Sequence, residues 1–136
     1  MMELTIAATV ENIETVTEFV IEQLESIDCP MKAQVQLSIA IDELFGNIAH
    51  YAYAPGTGIA TVRVEIQHAP CVVTITFIDG GIPYNPLESS DPDVTLSADE
   101  RNIGGLGIYV VKKSMDDMAY EYKNGQNILS IKKKLS

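Results

Sequence analysis

The chain has 136 residues, 46% of them hydrophobic, and a formal charge of −10. That length suits one domain over residues 1–136 with a single substantial core, and no apolar run approaches the roughly 18 residues needed to span a membrane. The acidic balance argues against a nucleic-acid reader, and Lys132-Lys133-Lys134 at the end of a strand reads as a solubilised edge.

The N-terminus, Met1-Met2-Glu3-Leu4-Thr5, has no basic n-region, so no secretory signal is expected. Cys29 and Cys71 lie far apart and lack a CxxC partner, which favours free thiols in a reducing cytoplasm. Leu4, Ile6 and Ala8 alternate as a short first strand. From about Glu11 to Ile27 the period is helical, with Ile13, Val16, Val20, Leu24 and Ile27 on one face. Asp28-Cys29-Pro30 breaks that helix, and Pro30 opens a second one running to about Tyr53.

The second helix carries two stripes. Leu37, Ile41, Leu44 and Ile48 form the expected core face. Glu43, Asn47 and His50, at i, i+4 and i+7, share a face at the edge of that core. A carboxylate one turn before a carboxamide suits a metal-bound phosphate: the amide oxygen can ligate Mg²⁺ and the carboxylate can orient or deprotonate a nucleophile. Read alone, the same pattern is also that of an amphipathic helix with a polar edge.

Ala54-Pro55-Gly56-Thr57-Gly58 is a turn-rich exit. Thr61 to Ile66 and Val73 to Ile78 alternate as two strands joined by a short connection, an antiparallel hairpin. The second strand stops at Asp79-Gly80-Gly81-Ile82-Pro83. A carboxylate at the end of an apolar strand needs a donor, and an adenine amine is a suitable one. Gly81 would let backbone approach a flat ring, although Asp-Gly also marks an ordinary turn. Tyr84 to Asn102 has no sustained period and contains Asp91, Asp93 and Asp99, which reads as a long loop of the functional or mobile kind. Gly104, Gly105 and Gly107 precede a helix through Ile108, Val111 and Met115. Free N–H groups there make an anion site, or the glycines form a hinge. Met118 to Lys123 and Asn127 to Leu135 are strands joined by Asn124-Gly125, a strong hairpin signal. The order β-α-α-β-β-loop-α-β-β predicts an α+β, two-layer α/β sandwich with a mostly antiparallel sheet and helices on one face.

Three segments in this order resemble a known family. Glu43-Leu44-Phe45-Gly46-Asn47 with His50 is similar to the N box of the GHKL (Bergerat-fold) ATP-binding domains. Asp79-Gly80-Gly81-Ile82-Pro83-Tyr84-Asn85-Pro86 is similar to their first glycine box, and Gly104-Gly105-Leu106-Gly107-Ile108-Tyr109 to their second. The short length, the DxGxPxxP form and Met115-Asp116-Asp117 most resemble the anti-sigma factor serine/threonine protein kinases.

The resemblance implies ATP and Mg²⁺ as cofactors, with Glu43 as general base or orienting residue and Asn47 as Mg²⁺ ligand. Asp79 would hold the adenine amine, with Gly81 beneath the ring. Gly104, Gly105, Leu106 and Gly107 would cover the phosphates with the loop, Arg101 is a candidate phosphate contact, and His50 could reach the loop or polyphosphate or serve the fold. Two positions depart from the family pattern: Asn127 stands where relatives often carry an adenine-binding Thr and would substitute for it as an adenine contact, and Gly80 stands where many have Asn. The implied reaction moves the γ-phosphoryl of ATP to a Ser or Thr of an anti-anti-sigma (STAS-like) protein. A sigma factor is the implied second partner, and a homodimer and a cytoplasmic location are further family expectations. The rivals are a non-catalytic ATP-responsive binding module and the ATP-binding half of a histidine kinase, which would need an acceptor His from elsewhere.

Overall fold

The computed structural model describes residues 1–68, 70–88 and 103–135, with the side chains of 103–106 outside that description. Strand β1 spans Met2–Ala7, and a 3₁₀ turn at Val10–Asn12 leads into helix α1, Ile13–Glu25. Helix α2 covers Met31–Asn47 and passes into a π-helical turn, Ile48–Ala52. Strands β2 (Ile59–Gln67) and β3 (Val72–Asp79) precede helix α3 (Ile103–Ser114), and β4 (Asp117–Lys123) and β5 (Gln126–Lys134) complete the fold.

The five strands lie in the order β1-β2-β3-β5-β4, and every neighbouring pair is antiparallel. Alternation explains the packing. Val62, Val64, Val73, Ile75, Phe77, Leu129 and Ile131 point to one face and are buried. They meet Val16, Val20 and Leu24 of α1, Leu37, Ile41, Leu44 and Phe45 of α2, and Ile108 and Val111 of α3 in one cluster. Each fully buried side chain of this kind contributes roughly 1.5–3 kcal/mol. The residues between them on the strands, such as Thr61, Thr74, Thr76 and Ser130, face away from the helices. The α+β class and the antiparallel sheet with helices on one face are as the sequence predicts. Among the described residues no helix is long and apolar enough to cross a membrane.

Asp28 leaves α1 with a positive φ of 53°, tolerable for an Asp. At the β4–β5 turn both Asn124 (φ 53°) and Gly125 (φ 76°) are left-handed, as a two-residue hairpin requires. Two helix boundaries differ from expectation. The α-helical hydrogen bonding of α2 ends at Asn47, because the following turn widens into a π turn whose last residue, Ala52, accepts a bond from Ile82 N–H at 3.0 Å. Helix α3 starts at Ile103. Gly104, Gly105 and Gly107 are therefore inside its first turns rather than before it. The core stripe of α2 also shifts: Phe45 is fully buried, while Ile48 is half-buried.

Candidate functional site

Asp79 is the last residue of β3, and its register partner on β5 is Asn127. These two are the buried polar side chains among the described residues, each 6% exposed. Asn127 Nδ2 donates to Asp79 Oδ1 at 3.0 Å and to the Ile82 carbonyl at 2.8 Å. Asn127 Oδ1 accepts from Tyr84 N–H at 3.0 Å and from the Tyr120 hydroxyl. Both amide donors and both acceptor positions are thus in use. Asn127 holds Asp79 and fixes the backbone at Ile82 and Tyr84, rather than offering a free polar group. Burial pushes the Tyr120 phenol up, and the nearby Asp79 adds to the rise.

Asp79 Oδ1 also accepts the Gly81 N–H at 2.9 Å. Both partners converge on Oδ1, and among the described residues no donor meets Oδ2. A buried carboxylate is thereby oriented with one oxygen left for a ligand donor. Gly81 has a structural reason to be glycine. A Cβ there would stand 2.6 Å from the carbonyl carbon and Cβ of Ala52, and closer still to its oxygen. The turn after β3 packs directly on the π turn, so the side of Gly81 that a Cβ would occupy faces protein backbone.

Tyr53 joins the same two regions. Its hydroxyl donates to the Ile59 carbonyl at 2.6 Å and accepts the Gly80 N–H at 2.7 Å. A Cβ on Gly58 would stand 2.6 Å from Tyr53 Cδ1, so that glycine makes room for the ring. Sequence reasoning missed Tyr53 and Ala52. The available signal was a tyrosine at the end of a helix followed closely by Gly56 and Gly58.

The second half of the site lies between α2 and α3. Glu43 and Asn47 share one face of α2, and Asn47 Nδ2 lies 3.5 Å from Glu43 Oε1, a long contact. Gly107 of α3 sits against the carboxylate: a Cβ there would stand 2.5 Å from Glu43 Oε1 and closer to Oε2. Burial pushes the Glu43 carboxyl above its ordinary value of 4.5, the Asn47 contact opposes this, and Asp42 adds to it. A raised carboxyl is a better proton acceptor near neutral pH. The N–H groups of residues 103–106 open the helix and have no intrahelical acceptors, so Gly104, Gly105 and Leu106 present backbone donors beside Glu43 and Gly107.

His50 lies in the π turn, where the 3.6-residue period no longer holds. Its ring is exposed and stands 5.9 Å, centroid to centroid, from that of Tyr51. Among the described residues it makes no hydrogen bond. Arg101 and most of the acidic loop lie outside the described residues. The described start of that loop forms a 3₁₀ turn at Pro86–Glu88, and Lys112 of α3 reaches the Leu87 carbonyl at 3.5 Å.

The donor set fits a nucleotide with a hard cation. Asp79 Oδ2 is an oriented acceptor, α3 offers N–H groups, and Asn47 Oδ1 and Glu43 Oε2 meet no donor among the described residues. No group of three or more His, Cys, Asp or Glu able to cage a metal occurs among those residues. A magnesium ion here would be shared between Asn47 and phosphate oxygens, the usual manner for that ion.

The chain is 26% identical over 95 residues to a protein of Bordetella bronchiseptica named serine/threonine-protein kinase BtrW, covering 70% of this chain and 66% of that one. The model of the histidine kinase-like ATPase domain matches residues 6–133, from within β1 to the penultimate residue of β5. With a match of that extent, the protein belongs to the histidine kinase-like ATPase domain family, and it is an ATP-binding, kinase-like domain.

Proposed function

We propose that the protein is an anti-sigma factor with ATP-dependent serine/threonine kinase activity. It phosphorylates a STAS-like anti-anti-sigma partner and sequesters a sigma factor in the cytoplasm. The observation that carries the kinase reading is the Glu43 carboxylate, held against Gly107 at the head of α3 and one turn from Asn47. A carboxylate beside backbone donors for phosphate repels the ligand unless it accepts a proton. The name of the Bordetella relative supports the same reaction.

Bound ATP would supply the γ-phosphoryl group, and Mg²⁺ would offset its charge. Asp79 Oδ2 would accept the adenine amine. Asn47 would hold the ion, and the α3 N-terminus would receive phosphate oxygens. Glu43 would take the proton from the incoming Ser or Thr hydroxyl as its oxygen bonds to phosphorus and the bond to ADP breaks.

Two assays test this. Calorimetric titration should show ATP bound more tightly than GTP, because guanine presents a carbonyl where adenine presents its amine; equal affinities would remove Asp79 from base recognition. Incubation with labelled ATP and the STAS-like protein should yield phosphoserine or phosphothreonine. ATP binding and partner capture without incorporation would instead identify a non-catalytic ATP-responsive module.

A further inference from the structure

Helix α2 carries an apolar stripe besides the one in the core. Met31, Val35 and Ile39 recur at i, i+4 and i+8 on its outer side and remain 70%, 49% and 47% exposed. Val10, 48% exposed, faces the same space from the turn before α1. With α1 these residues line a groove of about 990 Å³. Among the described residues its charged lining is Glu11, Glu14, Glu18 and Asp42, all exposed, and none of those lining residues is basic.

We propose that this groove between α1 and α2 binds an amphipathic helix of a protein partner, with its apolar side on Val35 and Ile39 and flanking Lys or Arg side chains on the acidic rim. Exposed large apolar side chains in a concave, polar-rimmed surface mark an interaction site. Two neighbouring helices present a trough that a third helix fills by laying its apolar side along it. From Met31 to Asp42 the floor runs about 16 Å, or three turns of a partner helix. The charge selects the occupant: four carboxylates repel nucleic acid and an anionic lipid surface and attract a basic segment. The groove ends at Asp42, the neighbour of Glu43, so a seated partner lies alongside the nucleotide site. The surface does not depend on phosphoryl transfer and stands if that reading fails.

The test uses the full chain and a display library of 16-residue peptides. Leu is fixed at i, i+4, i+7 and i+11, and Lys, Arg, Glu or Gln fills the other positions. Selected peptides should be rich in Lys and Arg, and their affinity should fall with added salt. In fluorescence titrations Val35→Ser with Ile39→Ser, and separately Glu14→Lys with Glu18→Lys, should each weaken binding by about tenfold or more. ATP affinity should stay unchanged in both variants. The second variant alters only exposed charges, so it keeps the test sound if the first is poorly folded. Failure to select any peptide, a selection without basic bias, or equal binding by the rim variant would overturn the proposal. So would a dimer in sedimentation that dissociates with Val35→Ser and Ile39→Ser, since a second copy would then be the occupant.

Discussion

Gly107→Ala separates the catalytic geometry from the stability of the fold. The added Cβ would stand 2.5 Å from Glu43 Oε1, whereas ordinary contact begins at 3.4 Å, so that oxygen must retreat by at least 0.9 Å. The obstructing atoms are the far end of a flexible side chain, so Glu43 swings away while α3 keeps its place. Replacing glycine by alanine inside a helix adds roughly 0.8–1 kcal/mol of helical preference. The net change in stability is therefore between zero and about 1 kcal/mol in favour of the variant. A displacement of about 1 Å at a reacting group can cost about 10²-fold in rate. Urea unfolding should show an unchanged or higher midpoint, calorimetry a nearly unchanged ATP affinity, and phosphoryl transfer to the partner should drop about a hundredfold. Transfer at the wild-type rate would refute the role assigned to Glu43. A loss of stability above about 2 kcal/mol would refute the idea that Glu43 yields to the new side chain.

Other substitutions test the remaining contacts. Asn127→Leu removes the two bonds that Asn127 gives to Asp79 and Ile82 and the two it accepts; denaturant unfolding should show a loss of at least about 2 kcal/mol, with weaker ATP binding. Tyr53→Phe unties Gly80 from Ile59 and should cost about 1 kcal/mol in the same assay. Because burial raises the Glu43 carboxyl, the folded chain retains a proton that the unfolded chain releases as the pH climbs past 4.5. That contribution to stability falls as pH rises through this window. Glu43→Gln should therefore melt at a higher temperature than the unmodified chain at pH 7, with the gap closing below pH 4.5.

Most of the sheet was legible because alternation in Thr61–Ile66 and Val73–Ile78 and the Asn124-Gly125 turn are local signals. The start of α3 was not. Three glycines within 104–107 argue against a helix by propensity, yet α3 runs through them, and at Gly107 only glycine lets the Glu43 carboxylate approach. The π turn was hidden because a change of hydrogen-bond partner leaves the pattern of apolar residues almost intact. Glu43, Asn47 and Asp79 could be named from spacing and resemblance. The role of Asn127 could not, because it depends on a β3–β5 register that joins residues 48 positions apart. Gly81 was read as room for a flat ring, and the space a Cβ would need there is filled by Ala52.

The most direct test pairs nucleotide affinity with phosphate incorporation in Glu43→Gln, at saturating ATP and with the STAS-like partner present. The substitution keeps shape and hydrogen bonding and removes the proton acceptor. ATP and partner should remain bound while transfer falls by roughly 10²–10⁴-fold. Transfer at the wild-type rate by Glu43→Gln would contradict the assignment of Glu43 as the base.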